Sequence, residues 1–204
     1  MFTDLLNLPL DKDRASQADQ VLRLSNMNWA DYEALTNEEY LGYKASYFDQ
    51  TVTIVSPSLN HEIVSEVISG LIKAYCRYYS LPYFPMGSAT LKNPPFAGKE
   101  PDASYTFGTR KATPDLAVEV IYSSGDIDDS LKKYSYLKVE EVWFWQDKKM
   151  KFYRLDNSNY IDSKQSYWLD KITPKFLVKY VNRGLTESPL SIEADFMADL
   201  DSRN

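Results

Sequence analysis

Residues 99–122 read KEPDASYTFGTRKATPDLAVEVIY, and this stretch decides the fold. DLAVEVIY (115–122) is apolar on both alternating faces except at Glu119, the pattern of a central strand covered on both sides. DASYTF (102–107) reads as a shorter strand before it, opened by Asp102 directly after Glu100-Pro101. A carboxylate inside an apolar strand is costly unless it is paired, protonated or bound to a metal. Two of them on neighbouring strands, Asp102 and Glu119, can hold Mg²⁺, which takes a few oxygen ligands together with waters and a substrate phosphate. The competing explanation is structural: Glu119 pairs with a lysine or arginine of a covering helix, and Asp102 caps a turn.

Upstream, the strongest helix begins at Ser58 or Asn60. Ile63, Val64, Val67, Ile68, Leu71, Ile72, Tyr75 and Tyr79 recur at helical spacing, and Leu81-Pro82 ends it. YKASYF and TVTIVS, joined at Asp49-Gln50, read as a hairpin. Before them, WADYEAL is a short helix capped by Asn28 and followed by the loop TNEEYLG. Residues 82–101 are punctuated by prolines and glycines and read as irregular. Downstream, Ser123-Ser124-Gly125 turns into a helix from Ile127 to Lys138. EEVWFWQ and KMKFYRL form a second hairpin around Asp147-Lys148-Lys149. A short strand near Tyr160 and a helix opening at Thr173-Pro174 complete the body. The order predicts an α/β fold, a mixed central sheet flanked by helices. Residues 1–25 are expected to be a loosely held arm and 26–185 the domain. The acidic tail 186–204 carries Ile192, Phe196 and Leu200 at four-residue steps. That spacing suits one amphipathic helix able to dock a partner subunit, with fraying as the alternative.

The 204 residues suit one domain, with 44% hydrophobic and 25% charged residues. The net charge of −6 belongs to the two ends. Residues 1–20 hold four acids and two bases, and residues 186–204 hold five acids and one base, leaving twenty of each between them. The body is therefore neutral, which permits a local basic groove without requiring one. No apolar run approaches the roughly 20 residues that cross a bilayer. The N-terminus lacks the basic lead and cleavage site of a signal peptide. A lone cysteine, Cys76, suits the reducing cytoplasm and reads as a buried thiol. Phosphate-binding and dinucleotide loops are absent, as is a GxSxG elbow. One histidine and one cysteine, far apart, argue against zinc.

The set SPSLNHEIV, MGSATL, KEPDASYTFG, PDLAVEVIYSSG and YSYLKVEEVWFW resembles the Uma-two group of restriction-endonuclease-like proteins, within the PD-(D/E)xK nuclease superfamily. The resemblance spans roughly residues 40–185, and the order and spacing of the set carry it, since Pro-Asp alone is noise. It implies a restriction-endonuclease-like sheet, with Asp102 and Glu119 as metal ligands for Mg²⁺ or Mn²⁺. It adds His61 and Glu62, at the start of the long helix, to the same cleft. Each has a plainer explanation, His61 as a cap or packing residue and Glu62 as a partner of the helix dipole. Glu100 and Asp115 match the motif too, and turn capping explains Asp115 equally well.

One departure stands out. The superfamily's lysine would follow Glu119 by two positions, where Ile121 stands. In the resembling group it is displaced onto the next helix, at a position that Ser130 occupies here. Of the neighbouring lysines, Lys133 lies roughly 60° from the direction of Ser130 and Lys132 roughly 160° away. Lys133 is thus the better substitute, with a solvated surface lysine as the alternative. The expected function is Mg²⁺-dependent hydrolysis of DNA phosphodiester bonds, with Asp102, Glu119, Lys133, His61 and Glu62 as the site. The other reading is a non-catalytic nucleic-acid-binding or assembly module that kept the fold. A homodimer stays open.

Overall fold

A computed structural model of the chain describes residues 18–37, 43–122 and 125–202. Most of the expected arm, part of the loop after the first helix, and Ser123 and Ser124 of the expected turn lie outside the described residues.

β1 (Gln20–Ser25) leads to α1 (Trp29–Asn37), whose first turn is closed reciprocally. Asp31 N donates to Asn28 Oδ1 at 3.1 Å, and Asn28 N donates to Asp31 Oδ2 at 2.8 Å. β2 (Lys44–Phe48) and β3 (Thr51–Ser56) form the first hairpin. Its two turn residues, Asp49 and Gln50, both take positive φ, which matches the twist of the flanking strands. α2 (Leu59–Tyr78) starts at Ser58, whose hydroxyl accepts from His61 N at 3.2 Å. Then come β4 (Tyr83–Pro85), β5 (Leu91–Asn93), β6 (Ala97–Lys99), β7 (Ala103–Phe107) and β8 (Leu116–Ile121). α3 (Ile127–Leu137) is capped by Asp126, which accepts from Asp128 N at 2.9 Å, and stops at Lys138 in the left-handed region. β9 (Glu141–Gln146) and β10 (Lys149–Asp156) turn through Asp147 and Lys148, again at positive φ, and β11 (Asn159–Ser163) follows. α4 (Pro174–Val181) and α5 (Pro189–Asp201) close the chain.

The strands make two sheets. The central one is mixed, in the order β11-β10-β9-β8-β7-β4, with β8 and β9 parallel and every other pair antiparallel. α3 is the crossover that the parallel pair requires. β7 and β8 are neighbours, and α2 packs across them. Val118 and Val120 face the α2 side, where Val64, Ile68, Leu71 and Trp143 meet them. Ala117 and Ile121 face the other side, toward Ile127, Tyr134 and Leu137. Strand alternation sends Glu119 to that second side.

The second sheet, β1-β3-β2-β6-β5, is fully antiparallel and is a feature the sequence pattern does not announce. Residues 20–25, expected within the loose arm, are strand β1 paired to β3. Residues 82–101, expected to be irregular, hold three strands of three residues each. Segments that short show no period, so their strand character comes from the partner they find. At Gly98 a Cβ would collide with the Tyr32 ring, so the close approach of α1 to β6 demands glycine there.

The acidic tail folds back on its own chain. Ile192, Phe196 and Leu200 are fully buried within the main core, against α2 and α4, so they dock on their own domain and present no face to a partner subunit. Phe196 touches the rings of Phe176 and Tyr180. No helix among the described residues is long and apolar enough to cross a membrane. Phe196→Ala should therefore cost about 3–5 kcal/mol of stability, while Leu190→Ala, on the exposed side of the same helix, should change little. Denaturant midpoints for the two variants measure this. Equal midpoints would mean the tail contributes nothing to the core.

Candidate functional site

The two sheets meet at Lys99-Glu100-Pro101-Asp102. Lys99 ends β6 in the second sheet, and Asp102 directly precedes β7 in the central one. Ala103 pairs with Val118, so continuing the register back one residue brings Asp102 alongside Glu119.

The Asp102 side chain is 3% exposed, and Val120 N donates to its Oδ2 at 2.6 Å. Its Oδ1 meets the Lys44 ammonium from β2 and lies 3.0 Å from His61 Nε2 of α2. Burial by itself would raise its pKa. The charges on Lys44 and His61 outweigh that and hold the carboxyl well below the usual range. His61 Nδ1 sits 3.0 Å from Asp19 Oδ2, and Asp19 Oδ1 accepts from Ser58 N at 2.8 Å. A ring between two carboxylates, both pure acceptors, is stable when both nitrogens carry protons. Burial opposes that, but Asp102 and Asp19 prevail and lift the imidazole from 6.5 to about 10. The Nε2 contact is off the ring N–H axis, so it acts through charge more than as an aligned hydrogen bond.

Glu119 takes the Lys99 ammonium at 3.1 Å on Oε2 and the Tyr134 hydroxyl on Oε1. Burial raises its pKa, and Asp102's charge adds to the rise against the pull of Lys99. Lys99 also lies 5.6 Å from the centre of the Tyr134 ring. These groups open onto a cavity of about 80 Å³. That volume admits several waters or a hydrated ion and is too small to swallow a nucleobase.

Of the other expected residues, Lys133 is buried and lines this cavity, but its ammonium is bonded to Asp129 at 2.7 Å. Burial, then the nearby Lys99 charge, lowers its pKa. The ammonium that reaches Glu119 belongs to Lys99. Ser130 lines the cavity as well, whereas Lys132 points outward and is exposed. Glu62 stays at the rim, 54% exposed and 3.9 Å from Lys44. Glu100 bonds within the second sheet's side of the junction, accepting from Ala45 N of β2 at 3.2 Å and from Thr90 Oγ1, just before β5, at 3.0 Å. Asp115 belongs to the far end of β8, where it accepts from Phe107 N at 2.8 Å and pairs with Lys111 at 2.7 Å. Its role there is to cap the β7–β8 connection.

Sequence reasoning missed Asp19, Lys44, Lys99 and Tyr134. Asp19 falls in the stretch expected to be a loose arm, and Lys44 in the expected first hairpin. Tyr134 sits in a largely polar helix, IDDSLKKYSYL, with nothing local to mark it. Lys99 carried a usable signal, since it is part of the KEPD stretch.

A metal is compatible with this donor set. Each carboxylate oxygen can accept at about two positions. Asp102 Oδ2 and both oxygens of Glu119 each have one protein donor, so hard oxygen positions stay open. No group of three or more His, Cys, Asp or Glu side chains among the described residues is arranged to hold an ion. Two carboxylates completed by water and a phosphate describe a Mg²⁺ site better than a zinc or calcium cage.

The model of the family described as Uma2, putative restriction endonuclease, matches residues 29–176. The chain belongs to that family. A crystal structure titled as a putative nuclease of DUF820 from Anabaena variabilis is similar at 14% identity, with a TM-score of 0.45 over 67% of this chain and 90% of that one. No curated protein matches. In this Uma2 chain Asp102 and Glu119 are each met by a lysine from the second sheet.

The paired state of His61 has a consequence for stability. Its folded pKa lies above the unfolded value of 6.5, so its stabilisation is complete below about pH 6.5 and is lost as pH rises toward 10. In metal-free protein, the melting temperature of the wild type should fall across that window more steeply than that of His61→Gln. Parallel curves would show that the imidazole holds no extra proton.

Proposed function

We propose that this cleft hydrolyses DNA phosphodiester bonds with Mg²⁺, for which Mn²⁺ can substitute. The observation that carries the reading is the side-by-side placement of Asp102 and Glu119 at the junction of the sheets, with the ammonium groups of Lys44 and Lys99 against them. Asp102 and Glu119 would hold the ion, which when bound supplies Lewis-acid stabilisation and an activated water.

The chain's own residues do the rest. Lys44 and His61 fix the Asp102 carboxylate in its ionised form, and Val120 N sets its orientation. The Tyr134 hydroxyl holds one oxygen of Glu119, so the other faces Lys99. Lys99 is the cation best placed to offset negative charge as the phosphorane oxygens develop it. It does so from a strand ahead of Asp102, although the superfamily pattern would put a lysine at Ile121. Lys133, tied to Asp129, adds positive potential from α3.

The second reading, a binding module without chemistry, draws on one observation. Asp102 Oδ1 already faces both Lys44 and His61, so the pair is charge-compensated before any ion arrives.

Plasmid and oligonucleotide cleavage with Mg²⁺, Mn²⁺ or a chelator separates the two. Asp102→Asn and Glu119→Gln should abolish metal-dependent cleavage. Lys99→Met should lower the rate by at least about tenfold, equivalent to about 1.4 kcal/mol of barrier. Lys133→Met should lower it less. Wild-type rates in Lys99→Met would remove that lysine from the chemistry. Absence of cleavage by the wild type across single- and double-stranded DNA would favour the binding module.

A further inference from the structure

The catalytic cavity continues in two directions, and they differ in character. One branch passes α2 and β7, lined by Glu62, Glu66 and Lys73 together with serines. The other runs between the second sheet and α3, sharing Arg23, Thr53, Asp129 and Lys133 with the cavity itself and extending to Lys132, Phe48 and Asp49. The first has three acids, counting Asp102 that it shares with the cavity, and one base. The second has three bases and two acids, and one of those acids, Asp129, is already neutralised by Lys133.

Two cations in the second branch are uncommitted. Arg23 projects from β1 and Lys132 from α3, both exposed, and neither has a carboxylate partner among the described residues. Cations of this kind contrast with Lys44, Lys99 and Lys133, each of which is held in an ion pair. Ser25 and Thr53 add hydroxyl groups along the same wall.

Beyond Lys132 the branch ends on exposed rings. Tyr136 is one helical turn on from Lys132, so the two share a face of α3. The Tyr136 ring lies 5.6 Å from that of Phe48, which lines the branch, and 5.8 Å from Phe96 at an interplanar angle of 24°. Phe96 is 55% and Tyr136 42% exposed, unusual for rings of this size. The Phe96 hairpin is fastened to α3 by Asn93 Nδ2, which donates to Tyr136 O at 2.8 Å, so the rings form a fixed platform.

Free cations along a groove followed by exposed aromatic faces form the pattern that binds an unpaired strand, phosphates on the cations and bases on the rings. A duplex would not use the rings, because its base faces are covered by stacking. We infer that single-stranded DNA runs from the carboxylate pair along the β1–α3 branch, with Arg23 and Lys132 on its phosphates and Tyr136 and Phe96 under its bases. This rests on the nuclease reading for the polarity of the site, but it concerns binding and is tested without cleavage.

Fluorescence anisotropy of labelled oligothymidylate and of a blunt duplex, in chelator and over a salt series, measures it on the full chain. Wild type should bind the single strand more tightly than the duplex. Phe96→Ala with Tyr136→Ala should weaken the single strand by at least about tenfold and leave the duplex unchanged. Arg23→Gln with Lys132→Gln should reduce the log–log salt slope by about 1.4, from two phosphate contacts at about 0.7 each on a single strand. All four side chains are exposed or lie at the surface, and unchanged melting temperatures would establish that the variants fold. Single-strand affinity insensitive to both double variants overturns the proposal, as does equal or tighter binding of the duplex or of oligouridylate RNA. Self-association of the wild type that the ring variant abolishes also overturns it, marking the platform as a contact between copies. Strand binding as described with no cleavage in Mg²⁺ upholds the track and defeats the hydrolytic reading instead.

Discussion

The Asp102 carboxylate is ionised, nearly buried, and held by groups from three parts of the chain. A buried charge is tolerable when it is paired and its lone pairs are filled. Lys44 comes from the second sheet, His61 from the first turn of α2, and the Val120 amide from the central sheet. His61 is in turn braced by Asp19, whose other oxygen fastens to the Ser58 amide at the α2 N-terminus. One charge therefore sets how two sheets and a helix converge. Removing it would strand a lysine and an imidazolium in a poorly solvated place, which is a larger loss than the deleted contacts alone.

β8 makes that convergence useful. Its Val118 and Val120 bury against the α2 side, so Glu119 must emerge on the opposite side, under α3. The parallel pairing of β8 with β9 forces α3 to cross over that face. Tyr134 then lands on Glu119 and Lys133 enters the cavity, consequences of a crossover whose length is set by the sheet. The lysine expected just after Glu119 is absent, and Ile121 packs in the α3-side core with Ile127 and Tyr134. Lys99 approaches from the other sheet and meets the same carboxylate.

Glu141 provides an internal comparison. It too is a buried carboxylate with a raised pKa, caused first by burial. Its donors are neutral: Trp143 Nε1 at 2.7 Å, Ser166 Oγ at 3.2 Å and Tyr167 N at 3.1 Å. That arrangement fastens the 166–169 loop to β9, with no lysine or arginine paired to the carboxylate among the described residues. Glu119 differs in having a lysine partner and open volume next to it. Burial alone does not separate the two carboxylates; charge partners and access do.

Local patterns settled several elements outright. The two-sided apolarity of 115–122 made β8 central, the helical stripe from Ile63 to Tyr79 made α2, and Asp49-Gln50 and Asp147-Lys148 turned two hairpins. Asp102 and Glu119 stood out because a charge in or beside an apolar strand needs a reason. These are one-dimensional signals, with periods of two and 3.6 and a cost attached to a single residue type. Apart from its β2–β3 hairpin the second sheet had no such signal, since β5 and β6 are three residues each and β1 looked like part of a polar arm. The tail's apolar steps suited a helix or a frayed end alike, and could not say that a helix would form and pack on its own α2. Lys44 and Asp102 are far apart in sequence, as are Asp19 and His61, and no spacing rule links such pairs. The amino-acid sequence by itself determined which carboxylates had to be compensated. Which cations compensate them was decided by tertiary structure, because only the closing of one sheet against the other brings Lys44 and Lys99 within reach of charges on a different sheet.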